Sequence, residues 1–266
     1  MLSFVPSVSS VVNRSHCYTA AMSDTLILEG HLSVLAGLEN PQRPIEAVYL
    51  QQGKRIRAAG ALKRAAGARE VPVQEAPAAE IDALAAGRSH GGVLALAGSR
   101  QYLSLDKLVS AHQAPFVAML DGVEDPFNFG QAIRALYAAG ASGLVLPPRD
   151  WENALNVVAR ASAGASERIP TARAADSLEA VRFFGEHGYR AAAADKSAGS
   201  LSIYEADLSG PLFLLIGGER RGLPATTLKA CDVLLRIPYA RPFEPSLDVT
   251  SSTAAIAFEV MRQREN

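Results

Sequence analysis

Strands and helices alternate along the second half of the chain, and this alternation restricts the possible folds more than any other feature of the sequence. Apolar runs predict strands at 115–120, 143–146, 169–172, 189–194, 211–217 and 233–238. Apolar residues at helical spacing predict helices at 129–139, 152–163, 178–186 and 249–264. We therefore expect a parallel sheet with helices on both faces.

A smaller α/β unit is predicted ahead of this region. Residues 25–98 show the order short helix, strand, basic helix, strand and helix, and they end in the apolar strand 91–97. The polar segment 99–114 lacks sustained periodicity, so we place a linker there and the second domain at 115–266. Residues 1–24 form an extension that we expect to be disordered or to reflect a start codon placed too early; a transit-like peptide is the alternative.

Composition excludes several classes of protein. A formal net charge of −1 argues against a strongly basic nucleic-acid binder, although net charge averages over local patches. No apolar run approaches the roughly 20 residues that span a bilayer, so we expect no membrane association. Cys17 and Cys231 lie far apart and lack the spacing of metal ligands. They favour a reducing, cytoplasmic location with no disulfide and no metal.

One cluster of positive charge stands out against this neutral background. It lies in a segment of helical composition that contains no acidic residue, and it consists of Lys54, Arg55, Arg57, Lys63, Arg64 and Arg69. A solvated helix face is the usual role of such a run. Contact with RNA is the alternative, because lysine and arginine side chains neutralise phosphates.

The predicted turn after the strand 115–120 is rich in residues that begin helices. It contains Asp, Pro and Asn, and Asn128 can cap the helix that follows. Arg134 lies two helical turns further on, at a predicted buried edge, and needs an anionic partner there because a guanidinium does not lose its proton. An RNA phosphate is one candidate partner, and Glu124 or Asp125 is the other.

A glycine-rich turn follows the strand 211–217, late in the chain rather than after the first strand of its domain. It lacks the lysine and the hydroxyl residue of a phosphate loop, which argues against a nucleoside triphosphate site. Gly217 and Gly218 would allow the backbone to approach a flat ligand such as adenine, beside the one fixed carboxylate of Glu219. A simple loop after a strand is the alternative.

Four short motifs resemble those of the SpoU (TrmH-type) branch of the SPOUT RNA methyltransferases. They occur in the family's order: NxGxxxR at 128–134, an SAGA-like stretch at 163–170, GxExxGL at 217–223, and IP followed by SLxV at 237–249. Each motif alone is weak, whereas all four in order are specific. The resemblance covers nearly everything after Thr25, and the first domain is similar to the L30-like RNA-binding domain that many members carry.

The resemblance implies a C-terminal domain tied in a deep trefoil knot, which binds S-adenosylmethionine and forms a homodimer. The cofactor would be held mainly by backbone groups around Gly217, Gly218, Ile237, Pro238, Ser246 and Leu247. The acceptor would be a ribose 2′-hydroxyl, in ribosomal RNA in preference to transfer RNA. The resemblance also favours the RNA-binding role for Lys54, Arg55, Arg57, Lys63 and Arg64.

Four side chains are the catalytic candidates under this resemblance. The family assigns activation of the hydroxyl to the position of Arg134, but a guanidinium is a poor base at neutral pH. We expect Arg134 to clamp a neighbouring phosphate and to stabilise oxyanion character. Arg134 or Asn128 would come from the partner subunit, and Glu219 and Asn128 would hold the loop and that arginine.

Asp248, the fourth candidate, departs from the family pattern. The family usually has asparagine there and serine at the position of Thr250, and the loop 239–245 is about one residue longer, with two prolines and no glycine. An amide can donate a hydrogen bond, whereas an ionised carboxylate only accepts. Asp248 is therefore either a general base or a partner of Arg134 or Arg241. Two other functions stay open: a non-catalytic RNA-binding dimer, and a methyltransferase that acts on a base.

Overall fold

The computed structural model describes residues 26–87, 89–109, 115–148, 151 and 154–265. The expected extension 1–24 and the end of the predicted linker, 110–114, lie outside these residues. The described chain forms two sheets with connecting helices, which confirms the α/β class. No helix in these ranges is both long and apolar enough to cross a membrane.

The first sheet belongs to the N-terminal part of the chain. Its strands are β1 (Leu26–Glu29), β2 (Ile45–Gln51), β3 (Val73–Ala76) and β4 (Val93–Ala97), in the order β1-β4-β2-β3. The helices α1 (His31–Glu39), α2 (Ala59–Gly67) and α3 (Ala78–Leu84) connect them. Strand β4 runs antiparallel to both of its neighbours, whereas β2 and β3 are parallel and are joined through α2.

The second sheet is parallel in every registered strand pair. Its strands are β5 (Phe116–Asp121), β6 (Gly143–Leu146), β7 (Thr171–Arg173), β8 (Arg190–Ala194), β9 (Leu201–Ser202), β10 (Leu212–Gly217) and β11 (Val233–Arg236). The strand order is β7-β6-β5-β10-β8-β11-β9. Strand β10 therefore lies directly beside β5, although the two are far apart in the sequence.

Helices cover both faces of this sheet, as the alternation predicted. They are α4 (Pro126–Ala138), α5 (Leu155–Ala161), α6 (Ala165–Arg168), α7 (Ser177–Glu186), α8 (Ala225–Ala230) and α9 (Val249–Arg264). Phe116 and Ala118 of β5 pack in a core with α4 and α9. Val117 and Met119 point to the other face, into a core that includes α7. Side chains alternate across a strand, so β5 contributes to both cores.

Several short elements were missed in the sequence. Strand β1 precedes the short helix that was expected to open the first domain, and β9, α6 and α8 were not predicted at all. Strand β9 has two residues and α6 has four, so neither is long enough to show a period.

The described part of the predicted linker, 99–109, packs against the second domain. Leu103 forms a parallel bridge to Ala172 in β7, and Leu108 is buried. Arg100 donates to the carbonyls of Ser166 and Ile169, the latter at 2.8 Å. This segment is therefore tied to the edge of the second sheet rather than spanning a gap.

Candidate functional site

The turns that follow β5 and β10 meet at the carboxyl edge of the second sheet. Gly217 at the end of β10 pairs with Asp121 at the end of β5, and the N–H of Gly218 donates to the Asp121 carbonyl at 2.7 Å. From these two neighbours the chain leaves in opposite directions, from β5 toward β6 and from β10 toward β11. A crevice at such a point is the usual ligand site of an open α/β sheet.

Backbone crowding requires glycine at both positions of this turn. A Cβ atom on Gly218 would lie 1.9 Å from the carbonyl oxygen of Gly122. A Cβ atom on Gly217 would lie 2.6 Å from the carbonyl carbon of Gly222. The glycines therefore serve the close packing of two loops, and this requirement exists whether or not a ligand also approaches them.

Glu219 joins three segments of the site. Its Oε1 accepts hydrogen bonds from the Asn128 side chain and from the N–H of Val249, both at 3.3 Å. These two residues lie 91 and 30 positions away in the sequence. The hydroxyl of Thr250 also donates to the Asn128 carbonyl at 3.4 Å. The starts of α4 and α9 are thus held to the glycine turn, and Glu219, Asn128 and Asp248 lie in one region.

The start of α4 differs from the prediction. Asp125, not Asn128, is the N-cap: its carboxylate accepts from the N–H of Asn128 at 2.7 Å, and Pro126 occupies the first helical turn. Proline suits that position because its missing N–H would have no intrahelical partner there. The side chain of Asn128 is left to reach Glu219.

Arg134 is exposed, so the expected buried edge is wrong. The acidic partners proposed for it are engaged elsewhere: Asp125 caps α4, and Glu124 pairs with Arg220 at 3.1 Å. Within the described residues Arg134 forms no ion pair. It lies about 9 Å further along the helix axis than Asn128. Among the described residues, Arg134 makes no hydrogen bond or ion pair with the cluster around Glu219.

Asp248 is the N-cap of α9, which corrects the expected ion pair with Arg134 or Arg241. Its carboxylate accepts from the N–H of Ser251 at 2.8 Å and from the Ser251 hydroxyl at 2.7 Å. The bond from that hydroxyl, followed by the one from the N–H, lowers the pKa of Asp248. A carboxylate with a lowered pKa is a weaker base, so the geometry argues against the general-base alternative.

Half-buried apolar residues border the same edge. Ile237 and Pro238 follow β11 and Leu247 precedes α9, whereas Ser246 is exposed. The N–H of Leu247 donates to the phenolic oxygen of Tyr239 at 3.0 Å, which closes the loop between β11 and α9. These residues offer apolar faces together with backbone polar groups, the combination that suits a flat heterocyclic ligand.

The basic cluster of the N-terminal domain is exposed at Lys54, Arg55, Arg57, Lys63 and Arg64. Lys63 forms one exposed ion pair, in which its Nζ lies 3.6 Å from Oε1 of Glu75. Arg69 has a different role, because it donates four hydrogen bonds to backbone carbonyls at the end of α1 and in the loop after it. Arg69 is a structural residue and does not belong to the exposed cluster.

A buried ion pair that the sequence did not reveal joins the two domains. Glu167 in α6 accepts hydrogen bonds from Arg43 at 2.8 and 2.9 Å and from the Asn40 side chain at 3.2 Å. Both charged side chains are almost fully buried, at 2% and 1% exposure. Burial alone would raise the pKa of Glu167, but the hydrogen bonds and charge of Arg43, with Arg100 and Asn40, outweigh it and lower that pKa.

The SAGA-like stretch lies at this contact between the domains. Gly164 has a φ of +84°, and a Cβ atom on it would lie 2.7 Å from the carbonyl of Leu32 in α1. Nearby, Arg160 pairs with the buried Glu29 of β1 at 3.0 Å. In the sequence, only the small residues of this motif indicated a contact between the domains. Small residues allow the backbone of another domain to approach closely.

Cys231 is poorly suited to act as a nucleophile. Burial, followed by the negative charge of Asp232, raises the pKa of its thiol to about 12. In the part of the chain that the structure describes, no three His, Cys, Asp or Glu side chains are grouped to hold a metal ion. Cys17 lies outside the described residues.

Both parts of the chain match known protein families. The profile of the SpoU rRNA Methylase family matches residues 115–258. The profile described as RNA 2′-O ribose methyltransferase substrate binding matches residues 27–103. The first match spans the glycine turn, Arg134 and the start of α9, and the second spans the exposed basic cluster.

Individual proteins are similar over nearly their full length. The chain is 31% identical to the 23S rRNA (guanosine-2′-O-)-methyltransferase RlmB of Shewanella oneidensis, over 85% of this chain and 92% of that protein. It is 33% identical to the protein of the same name from Ralstonia nicotianae, over 91% and 98%. Among solved structures, the AdoMet-bound rRNA methyltransferase from Sinorhizobium meliloti has a TM-score of 0.74 at 27% identity, covering 90% of this chain and 88% of that one.

Proposed function

Because the chain belongs to the SpoU rRNA methylase family, we propose that the site at Glu219 is where it carries out that family's reaction. The protein is an S-adenosylmethionine-dependent RNA methyltransferase that acts on a ribose 2′-hydroxyl of ribosomal RNA. One structural observation supports the location most directly: the segments with the NxGxxxR, GxExxGL and SLxV motifs, distant in sequence, meet at the carboxylate of Glu219.

The proposed substrate is a guanosine of 23S rRNA. The two RlmB relatives named above carry that activity in their names and cover almost the whole chain. The test is to offer the purified protein S-adenosylmethionine with a labelled methyl group together with transcripts of 23S rRNA or of transfer RNA. We expect label in one guanosine of 23S rRNA. Label in transfer RNA alone would overturn this assignment.

We propose that the cofactor lies along the carboxyl ends of β10 and β11. Backbone groups of Gly217 and Gly218 and the half-buried faces of Ile237, Pro238 and Leu247 suit its adenosine, with Ser246 at the exposed rim. The bound cofactor supplies an electrophilic methyl group. The chain itself holds the loops in place through Glu219, which favours alignment of the reacting groups.

Arg134 is the proposed electrostatic catalyst. Its guanidinium carries a permanent charge and has no ion pair within the described residues, so it is available for an RNA phosphate and for the developing charge on the 2′-oxygen. Asn128 and Glu219 position the loops through their mutual hydrogen bond. Asp248 contributes by capping α9 rather than by taking the proton.

A homodimer would complete each site. On α4, Phe127 and Tyr137 are 52% and 41% exposed, and Phe258 on the adjacent α9 is 43% exposed. Phe127 and Tyr137 lie seven positions before and three positions after Arg134, on the same face of α4. Exposed apolar surface of this kind favours association with a second copy. Because Asn128 is bound to Glu219 in its own chain, Arg134 is the residue we propose to cross to the other subunit's site.

The deep trefoil knot is also a proposal. Helix α9 packs on α4, although β11 lies two strands beyond β10. The segment 237–248 must therefore return across the carboxyl edge, beside the glycine turn, where Glu219 holds the N–H of Val249. A threaded crossing at this point would account for the close contact of three loops.

We propose that the exposed cluster Lys54, Arg55, Arg57, Lys63 and Arg64 binds the RNA backbone. Its position in the domain that matches a substrate-binding family supports this role. Replacement of Lys54, Arg55 and Arg57 by serine should weaken RNA binding and reduce its salt dependence by about one phosphate contact per residue. An unchanged salt dependence would mean that the cluster is a solvated surface and does not bind RNA.

The cytoplasmic location of the protein stays a prediction.

A further inference from the structure

The loop between β11 and α9 carries two exposed aromatic rings. Tyr239 and Phe243 are 40% and 58% exposed, and their ring centroids lie 6.0 Å apart at an interplanar angle of 56°. Each ring therefore presents much of its surface to solvent beside the proposed cofactor site. Stacking of a flat ligand on such faces would be favourable, and two neighbouring rings offer a larger surface than a single exposed residue does.

The loop is held in shape at several points. The phenolic oxygen of Tyr239 accepts the N–H of Leu247 at 3.0 Å, and the Lys196 ammonium donates to the carbonyl of Glu244 at 2.9 Å. Pro242 precedes Phe243 directly and Pro245 follows it two positions later. The ring of each proline fixes its own φ angle, which limits the conformations of the loop. A loop restrained in this way loses little conformational entropy on binding.

The charges around the rings favour a polyanion. The carboxylate of Glu219 is engaged with Asn128 and Val249, and that of Asp248 with Ser251. Arg241, between the two rings in sequence, is exposed and forms no ion pair within the described residues. The Lys196 ammonium also lies against this loop, so two cationic side chains stand beside the rings against one exposed carboxylate, that of Glu244.

We propose that Tyr239 and Phe243 form a stacking platform for an unpaired base of the substrate RNA, with Arg241 on the adjoining phosphate. Aromatic faces with a neighbouring cation are the general means by which proteins bind single-stranded RNA. The platform rests on the proposed function, because it places that base next to the ribose that is methylated. It would favour target nucleotides in loops over those in helices.

The test compares Phe243→Leu, which keeps an apolar side chain without an aromatic face, with Phe243→Tyr, which keeps the face. We expect the leucine variant to raise the KM for a 23S rRNA fragment about 10-fold or more, with kcat and the Kd for S-adenosylmethionine unchanged. The tyrosine variant should match the parent. Equal KM values for all three proteins would overturn the platform, and so would a weaker Kd for the cofactor or a change in oligomeric mass.

A spectroscopic measurement separates this proposal from the proposed function. Phe243→Trp places an indole on the loop, whereas Trp151, the tryptophan of the natural chain, is only 9% exposed and stacks on Phe129. Short single-stranded RNA should quench the new fluorescence, and the same sequence as a duplex should not. Quenching without methyl transfer would leave the platform standing while the proposed function fails. Equal quenching by both RNAs would contradict the platform.

Discussion

Asp248 illustrates how one local contact changes the chemistry expected of a carboxylate. Both of its oxygens are bonded to Ser251 at the start of α9, and these bonds stabilise the ionised form. A group held in its ionised state by the fold is poorly suited to accept a proton from a hydroxyl of much higher pKa. The capping role does not require a carboxylate, because asparagine and aspartate cap helices almost equally well.

Asp248→Asn is expected to retain methyl transfer within a few-fold, since the amide oxygen can still accept from the N–H of Ser251. Asp248→Ala should lose the cap and about 1 kcal/mol of unfolding free energy. Single-turnover rates and chemical denaturation of both variants measure the two effects. A large loss of rate in the asparagine variant, with cofactor binding retained, would restore the general base.

The difference in unfolding free energy between the parent and Asp248→Ala should also depend on pH. The pKa of Asp248 is lowered in the folded protein from an ordinary value of 3.8, so the stabilisation is complete above that value. It is lost as the pH falls through the lower, folded pKa. Denaturation curves of the parent and Asp248→Ala should therefore converge in strong acid. A difference that stays constant down to that range would contradict the assignment.

Gly218 provides a second prediction at this scale. Its replacement by alanine brings a Cβ atom against the backbone of Gly122, which cannot move aside as a side chain could, so we expect a loss of at least about 2 kcal/mol. Gly185 in α7 is the matched control, because a Cβ atom there meets nothing within 4 Å. Gly185→Ala should be neutral or stabilising. Equal effects in denaturation would contradict the crowding.

Individual residues were predicted unevenly from the sequence. The glycines were singled out because they let the backbone of a turn approach a neighbour closely, and Glu219 because it is the carboxylate of that turn. Asn128 was singled out as a helix cap, a role that Asp125 fills instead. Arg134 was expected to be buried because its neighbours in sequence are apolar, but adjacent residues on a helix point about 100° apart. The roles of Asp248 and Glu167 depend on partners that only the folded chain brings near.

At the scale of elements, α6 supplies a buried charge contact between the two domains, beside the Arg160–Glu29 pair of α5 and β1. Its single turn carries Glu167 into contact with Arg43, and both charges are removed from water. Such a pair adds little net stability when intact, but loss of one partner is costly because it leaves the other charge buried and unpaired. Elements this short leave no periodic signal, which is why the alternation predicted the sheet and its long helices but not α6, α8 or β9.

Glu167→Gln is expected to lower the unfolding free energy by about 3 kcal/mol or more, since it leaves Arg43 buried without its counter-charge. The control is Glu39→Gln, which removes the partner of Arg168 in a pair that is partly exposed. That variant should cost about 1 kcal/mol or less. Chemical denaturation of both proteins measures the difference, and similar costs would show that Glu167 does not anchor the interface.

At the scale of the whole molecule, we propose that Arg134 of one subunit acts at the Glu219 site of the other, because no contact joins these two residues within the described part of one chain. We expect Arg134→Ala and Glu219→Ala to be nearly inactive alone, and a co-expressed mixture to recover about one quarter of the parent's activity. Half of the randomly paired dimers are mixed, and each mixed dimer has one intact site. Differently tagged subunits allow the mixed dimer to be isolated. An inactive mixed dimer would mean that Arg134 acts within its own chain.

The most direct measurement identifies the atom that receives the methyl group. After reaction of unmodified 23S rRNA with labelled S-adenosylmethionine, alkaline hydrolysis cleaves every linkage except one next to a methylated 2′-oxygen. We predict that the label is recovered in an alkali-resistant dinucleotide whose first residue is guanosine. Label in mononucleotides would indicate methylation of a base, and an absence of label from RNA that the protein binds would indicate a non-catalytic RNA-binding dimer.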